Sequence, residues 1–196
     1  MKENGVCCFT GHRPMKLPFG LDESHPKCNQ LKSILRAEIE RLITEHRVCR
    51  FITGMALGID QICAEIVLDL KKEYPQIMLE CAIPYEGQAI QWSVEQRERY
   101  FGILEKCDEE TMLQTRYTKD CMQKRNRYMV DHSNHVLAVW DGSFRSGSGQ
   151  TVRYAQKMGK IITIIRPDTL EITREKQTNK ACLLYTSPSP RDPKTS

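Results

Sequence analysis

Apolar positions along the chain switch repeatedly between a strand-like run and a helix-like stripe. Val6–Phe9 is a short apolar, β-rich run. Leu31, Leu35, Ile39 and Leu42 then recur at spacings of four, four and three, one face of an amphipathic helix. Arg50–Thr53 returns to strand character. Ile59, Ile62, Cys63, Ile66, Val67 and Leu70 form the cleanest helical stripe, stopped near Tyr74-Pro75. Ile77–Ile83 predicts a third strand, closed by Pro84. Beyond it the pattern predicts a charged helix over Trp92–Leu104, a short strand over Thr111–Gln114 and a helix over Cys121–Ser133. A buried strand at His135–Trp140 (HVLAVW), a short helix over Gln150–Met158 and a final strand at Lys160–Ile165 complete the series.

Strands and helices that alternate at these lengths imply right-handed βαβ crossovers. The expected fold is α/β: a three-layer, Rossmann-like, mostly parallel sheet with helices on both faces. No repeat is evident, and residues 1–181 read as a single domain. A chain of 196 residues, 40% of them apolar, is long enough to bury roughly 70% of its unfolded surface around one core.

The tail changes that picture. From Cys182 the chain reads CLLYTSPSPRDPKTS, an abrupt shift to Ser, Pro and Thr. Cys182 to Asp192 resembles, residue for residue, the translation of a transposase adapter used in sequencing libraries. Residues 182–196 are therefore expected to be a library artefact and are set aside from fold reasoning. Without Arg191, Lys194 and Asp192 the formal charge moves from +4 to +3, and without Cys182 the cysteines fall from nine to eight. A mild charge with both signs interspersed disfavours nucleic acid, which calls for a basic stripe. The absence of any CxxC pair disfavours structural zinc, and cysteines within apolar patterns (Cys7, Cys49, Cys63, Cys81) read as small hydrophobes in a reduced, cytoplasmic protein. MKENGVCCF enters a strand with no signal-peptide h-region, and no apolar run approaches the roughly 20 residues of a membrane span.

Three predicted strands run directly into glycine-bearing loops. In open α/β sheets such loops bind ligands at the carboxyl ends of the strands, where the helices that follow present free N–H groups. The first loop, Thr10-Gly11-His12-Arg13-Pro14, places an imidazole and a guanidinium at a strand end, and Arg matches phosphate bidentately. In the second, Gly54, Met55 and Gly58 lead to Asp60 in the first helical turn; a plain βα turn with Asp60 favourable at the helix dipole explains the same residues. The third runs from Asp141-Gly142 to Gly147-Ser148-Gly149-Gln150-Thr151, an anion-binding nest if ordered and a linker if not. Asp141 is placed to meet a sugar hydroxyl or, equally, to shape a turn with Gly142. Arg125 and Asn126, on the helix before HVLAVW, belong to a mixed basic face that is either solvated or placed to aim Arg125 at the same edge, while His132 and His135 lack fixed metal geometry and read as capping or packing residues. Trp92 and Tyr85 fit either base stacking or core packing.

The segments FTGHRP, ITGMALGIDQICAEIVLDL, CAIPYEGQ, YTKDCMQKRNRYMVD and VWDGSFRSGSGQTVRYAQKMGK resemble the YpsA-type (DUF1273) branch of the SLOG superfamily over residues 5 to 168. That superfamily also includes the DNA-processing protein DprA and the lonely-guy phosphoribohydrolases. The resemblance implies a Rossmann-like fold and a pocket for a nucleotide or nucleotide-derived ligand, in a branch tied to bacterial cell division or stress. Met122, Arg125 and Met129 match the enzymes' M-x-E-R-K-x-x-M pattern, and Gly147 and Gly149 match their P-G-G-x-G-T-x-x-E pattern. The acid–base glutamate of that second pattern falls on Arg153 or Tyr154, neither of which does a carboxylate's work near neutral pH. Asp60 and Glu86 are the candidate substitutes, and nothing in the sequence brings either to the site.

The function expected is therefore recognition: a cytoplasmic binding or regulatory protein for an ADP-ribose- or NAD-like ligand, with no catalytic residue assigned beyond Arg125 as a candidate. No metal or added cofactor is required by this reading, a protein partner in division or stress is compatible with it, and so is a homo-oligomer. The alternatives are a nucleotide glycosyl-bond hydrolase and a DprA-like single-strand DNA binder.

Overall fold

A computed structural model describes residues 4–175; the adapter-like stretch at 182–196 lies outside the described residues. Seven strands form one sheet in the order β4-β3-β2-β1-β5-β6-β7. They are β1 (Gly5–Gly11), β2 (Val48–Thr53), β3 (Met78–Ile83), β4 (Glu109–Met112), β5 (His135–Val139), β6 (Ile161–Ile165) and β7 (Ile172–Glu175). All neighbouring pairs are parallel except β6–β7. Helices α1 (Pro26–His46), α2 (Ile59–Leu70) and α3 (Val94–Leu104) cover one face, and α4 (Cys121–Asp131) and α5 (Gly147–Lys157) the other.

Strand residues divide between the two faces with a period of two, as a sheet buried on both sides requires. Cys7 and Phe9 enter the α1–α3 core while Cys8 enters the α4–α5 core; Leu137 and Val139 alternate with Val136 and Ala138 in the same way. All eight cysteines among the described residues are free thiols, and burial pushes the Cys8 thiol up to about 12. No helix among the described residues is long and apolar enough to cross a membrane.

Element boundaries depart from the pattern in several places. The first helix begins five residues before its apolar stripe, at Pro26, with the His25 side chain accepting the Lys27 N–H. The charged helix starts at Val94 rather than Trp92, because Ser93 and Gln96 form a reciprocal capping box. The fourth strand lies two residues earlier than expected, at Glu109–Met112; it is a charged, largely exposed edge strand with no apolar run. Beyond the expected final strand, β7 adds a short antiparallel edge (Ile-Thr-Arg-Glu) too brief and too polar to stand out.

Candidate functional site

β1 is flanked by β2 on one side and β5 on the other, so the strand order reverses there. The carboxyl ends of β1 and β5 are level, with Gly11 opposite Val139. This is the switch point at which open α/β sheets bind ligands. A cavity of about 320 Å³ opens above it. Thr10, Gly11 and His12 come from the end of β1, Ala56 and Asp60 from the second loop and α2, Met122, Arg125 and Asn126 from α4, and Ser146 to Ser148 from the start of α5. Arg13 and Lys16 stand exposed at its mouth.

Arg125 is the centre of this arrangement. It sits on the buried face of α4, 5% exposed, and donates through Nη1 to the Gly54 carbonyl. The same carbonyl accepts Nε2 of Gln88 at 3.2 Å. Asp60 Oδ2 lies 3.6 Å from Nη1 and also accepts the Ala56 N–H at 3.3 Å. Burial pulls the Arg125 guanidinium below its ordinary value, against the opposing pull of Asp60. Burial raises the Asp60 carboxyl, with Arg125, the Ala56 N–H and Arg13 opposing it. Arg125 Nε, equally buried, has no partner. A buried cationic donor left open beside a cavity is a costly arrangement unless an anion completes it.

The opposite wall is a helix start. Ser146 caps α5, its Oγ accepting the Gly149 N–H at 3.0 Å. Gly147 and Ser148 occupy the first turn, where N–H groups have no partner inside the helix and the dipole favours negative charge. His12, 3% exposed, ties this wall to β1: Nδ1 lies 3.1 Å from Ser148 Oγ and Nε2 2.8 Å from Asp141 Oδ1. The Asp141 N–H also approaches Nε2 at 3.2 Å, but the carboxylate is the stronger partner and draws the proton to Nε2. Nδ1 is then left to accept the Ser148 hydroxyl. Partial burial opposes ionisation of Asp141, yet the Ser143 side chain and N–H together with His12 hold its carboxyl well below the usual range.

Of the residues expected to meet a ligand, Thr10, Gly11, His12, Arg13, Asp60, Arg125, Asn126, Gly147 and Ser148 line the cavity. The others are brought close but not to its surface. Gly54 lies behind Arg125, and a Cβ there would overlap the guanidinium, so its role is to seat the arginine. Met55 is wholly buried at φ 57°. Gly58, at φ 94°, packs the second loop under the first: a Cβ would stand 3.0 Å from the His12 carbonyl oxygen. On the Gly54–Gly58 loop, expected to seat a phosphate, the Ala56 N–H is already taken by Asp60. The third loop also differs from expectation, because the helix begins at Gly147 and not Gln150; Gly147 to Thr151 form its first turn rather than a separate nest. Within it Gly149 serves the Ser146 cap, and Thr151 Oγ1 turns inward to the Gly147 carbonyl at 2.9 Å. Asp141 accepts the Ser143 N–H at 2.8 Å with Gly142 at φ 92°, the geometry of a turn, and does not line the cavity.

Trp92 packs edge-on against Tyr100 and Tyr85 against Tyr117, both away from the cavity lining. His132 bonds the Tyr128 carbonyl, His135 packs on His46, and no group of three metal-ligating side chains occurs among the described residues. Arg153 stacks over Phe144, and Tyr154 bonds Asp131; neither reaches the cavity, and Glu86 lines a different surface hollow. Sequence reasoning missed Gln88, Ala56 and Lys16. Gln88 lies within the CAIPYEGQ segment, but only its contact with Gly54 reveals that it buttresses Arg125.

The YpsA family model, described as the YspA SLOG family, matches residues 7–170. The chain is 37% identical over 158 residues to the uncharacterized SPbeta prophage-derived protein YoqJ of Bacillus subtilis, covering 74% of this chain and 92% of that protein. It is 27% identical over 183 residues to UPF0398 proteins of Bacillus thuringiensis and Bacillus cereus, covering 90% of this chain and 98% of each relative. The match takes in the parallel strands almost entirely, all five helices and every residue of the cavity, and on it the chain belongs to the YpsA family of SLOG proteins.

Proposed function

We propose that this chain is a cytoplasmic binding protein for a nucleotide-derived ligand of the ADP-ribose or NAD type, and that it passes occupancy on to a protein partner. A phosphate of the ligand sits between the Arg125 guanidinium and the first turn of α5, with Arg13 and Lys16 closing over it. The observation that carries this reading is the buried, unpartnered Nε of Arg125 in a cavity faced by open helix N–H groups. The charges agree: three cations and one carboxylate, Asp60, contribute to the lining, and that excess favours an anion.

Thermal unfolding with a panel of AMP, ADP-ribose, NAD and inorganic phosphate tests it. Ligand at 100 times its Kd stabilises a fold by about 2.7 kcal/mol, a rise of several degrees for a domain of this size. That rise is expected with ADP-ribose or a related nucleotide and is lost in Arg125→Ala. No rise with any member of the panel contradicts the proposal.

A hydrolytic reading rests on Asp60, whose carboxyl burial raises and which lines the same cavity. A raised carboxyl is what a general acid needs. Chromatography for free base released from nucleotides separates the readings. Release that disappears in Asp60→Asn while binding persists favours hydrolysis; binding without release favours recognition.

A further inference from the structure

A second cavity, of about 180 Å³, lies on the far side of the short turn Pro14–Lys16. Its walls are largely apolar, with Leu17, Phe19, Leu57 and Ile62 prominent. Gln61, in the first turn of α2, also lines it. This side chain is fully buried, and neither Nε2 nor Oε1 has a hydrogen-bond partner. A buried primary amide with both ends open is destabilising, and such groups persist in native proteins where something else satisfies them. The amide presents a donor and an acceptor side by side in one plane. A ligand that satisfies both offers the complementary pair in one plane, as the edge of a nucleobase does.

Charge points the same way. Arg99 is the one cation among the lining residues, and Glu23 and Glu65 already hold its guanidinium. Glu23 and Glu95 line the cavity as well. These carboxylates repel phosphate and leave room for a neutral ring.

The two cavities are one residue apart. Arg13 and Lys16 line the first while Pro14 and Leu17 line the second; Ala56 lines the first and Leu57 the second. Neighbouring residues of the same two loops, about 3.8 Å apart along the chain, thus wall both cavities. Met15, 91% exposed, crowns the turn between them and offers an apolar surface to a sugar crossing it.

Resting on the phosphate reading above, we propose that the Gln61 cavity receives the nucleobase of the ligand whose phosphate lies against Arg125, and that Gln61 is its specificity-determining residue. The second cavity is thereby a base subsite, and the ligand class is narrowed to compounds carrying both a phosphate and a planar ring with adjacent donor and acceptor.

Calorimetric titration of the full chain with AMP and with ribose 5-phosphate tests this, in the wild type, Gln61→Met and Leu57→Trp. The wild type is expected to prefer AMP at least tenfold. Gln61→Met is expected to bind the two alike, with its affinity for ribose 5-phosphate unchanged. Leu57→Trp, which fills the cavity without touching the amide, is expected to do the same. Because Gln61→Met removes an unpaired buried amide, it also raises the Tm of the free protein by about 2–4 °C. A variant that keeps the AMP preference overturns the base subsite and leaves the phosphate site standing. Loss of both ligands in Gln61→Met marks the residue as structural and overturns it as well. A wild type that binds neither ligand overturns this inference, and if ADP-ribose and NAD also fail to bind, the phosphate reading falls with it.

Discussion

Two glycines carry the site, for different reasons. Gly54 has no room for a side chain because Arg125 occupies the space a Cβ would take. Gly54→Ala is expected to displace the guanidinium and to cost about 1–3 kcal/mol through overpacking. Its signature is a coupled loss of stability and of nucleotide response. Gly58 is held at φ 94° against the His12 carbonyl oxygen. Gly58→Ala is expected to lower unfolding stability by about 1–3 kcal/mol in a urea titration, from backbone strain together with crowding against the first loop. The sequence marks both glycines as special and misassigns their purpose. A glycine beside a strand end reads as a place where a ligand approaches, and an arginine from a helix some 70 positions away is the group that approaches Gly54. Such a long-range contact leaves no trace in local spacing. Arg125 itself is legible, through the Met122–Met129 pattern and its place ahead of a buried strand.

The elements are positioned by polar anchors that lie outside the site. α4, which carries Arg125, is tied to the sheet by Tyr128, whose hydroxyl donates to Glu80 Oε1 at 2.7 Å. Glu80 is 1% exposed and is also held by Arg50 and Thr111. Tyr128→Phe is expected to cost about 1.5–3 kcal/mol, the usual contribution of a hydrogen bond to a charged group, measured as a lower urea midpoint. At the amino end of β5 burial, with His46 and Arg41 nearby, depresses His135 from 6.5 to about 4. Its folded value lies below its unfolded one, so the unfolded chain takes up the proton first as the pH falls. Stability is therefore expected to decline between pH 6.5 and 4, and His135→Gln to flatten that decline. Unfolding midpoints of both proteins at several pH values in that window check it. Strands and helices with strong apolar periods were legible in the sequence within a few residues. The edges were not: Glu109–Met112 lies largely exposed and Ile172–Glu175 half exposed, so nothing apolar marks them, and α5 starts at Gly147 because the Ser146 cap outweighs the low helix propensity of two glycines.

Over the whole molecule, the reversal of strand order at β1 brings three loops of distant sequence position to one edge. One loop supplies His12 and Arg13, one supplies Asp60 and the seat for Arg125, and one supplies the start of α5. That convergence follows from a parallel sheet and is readable from the alternation of elements; the division of labour among the loops follows from packing and is not. An amide NMR titration of the full chain with ADP-ribose tests whether a phosphate lies between Arg125 and the first turn of α5. The backbone amides of Gly147 and Ser148 and the side-chain Nε–H of Arg125 are expected to shift together and saturably, and Arg125→Ala to abolish the response. Absence of shifts at millimolar ligand, or a response centred away from these groups, contradicts the account.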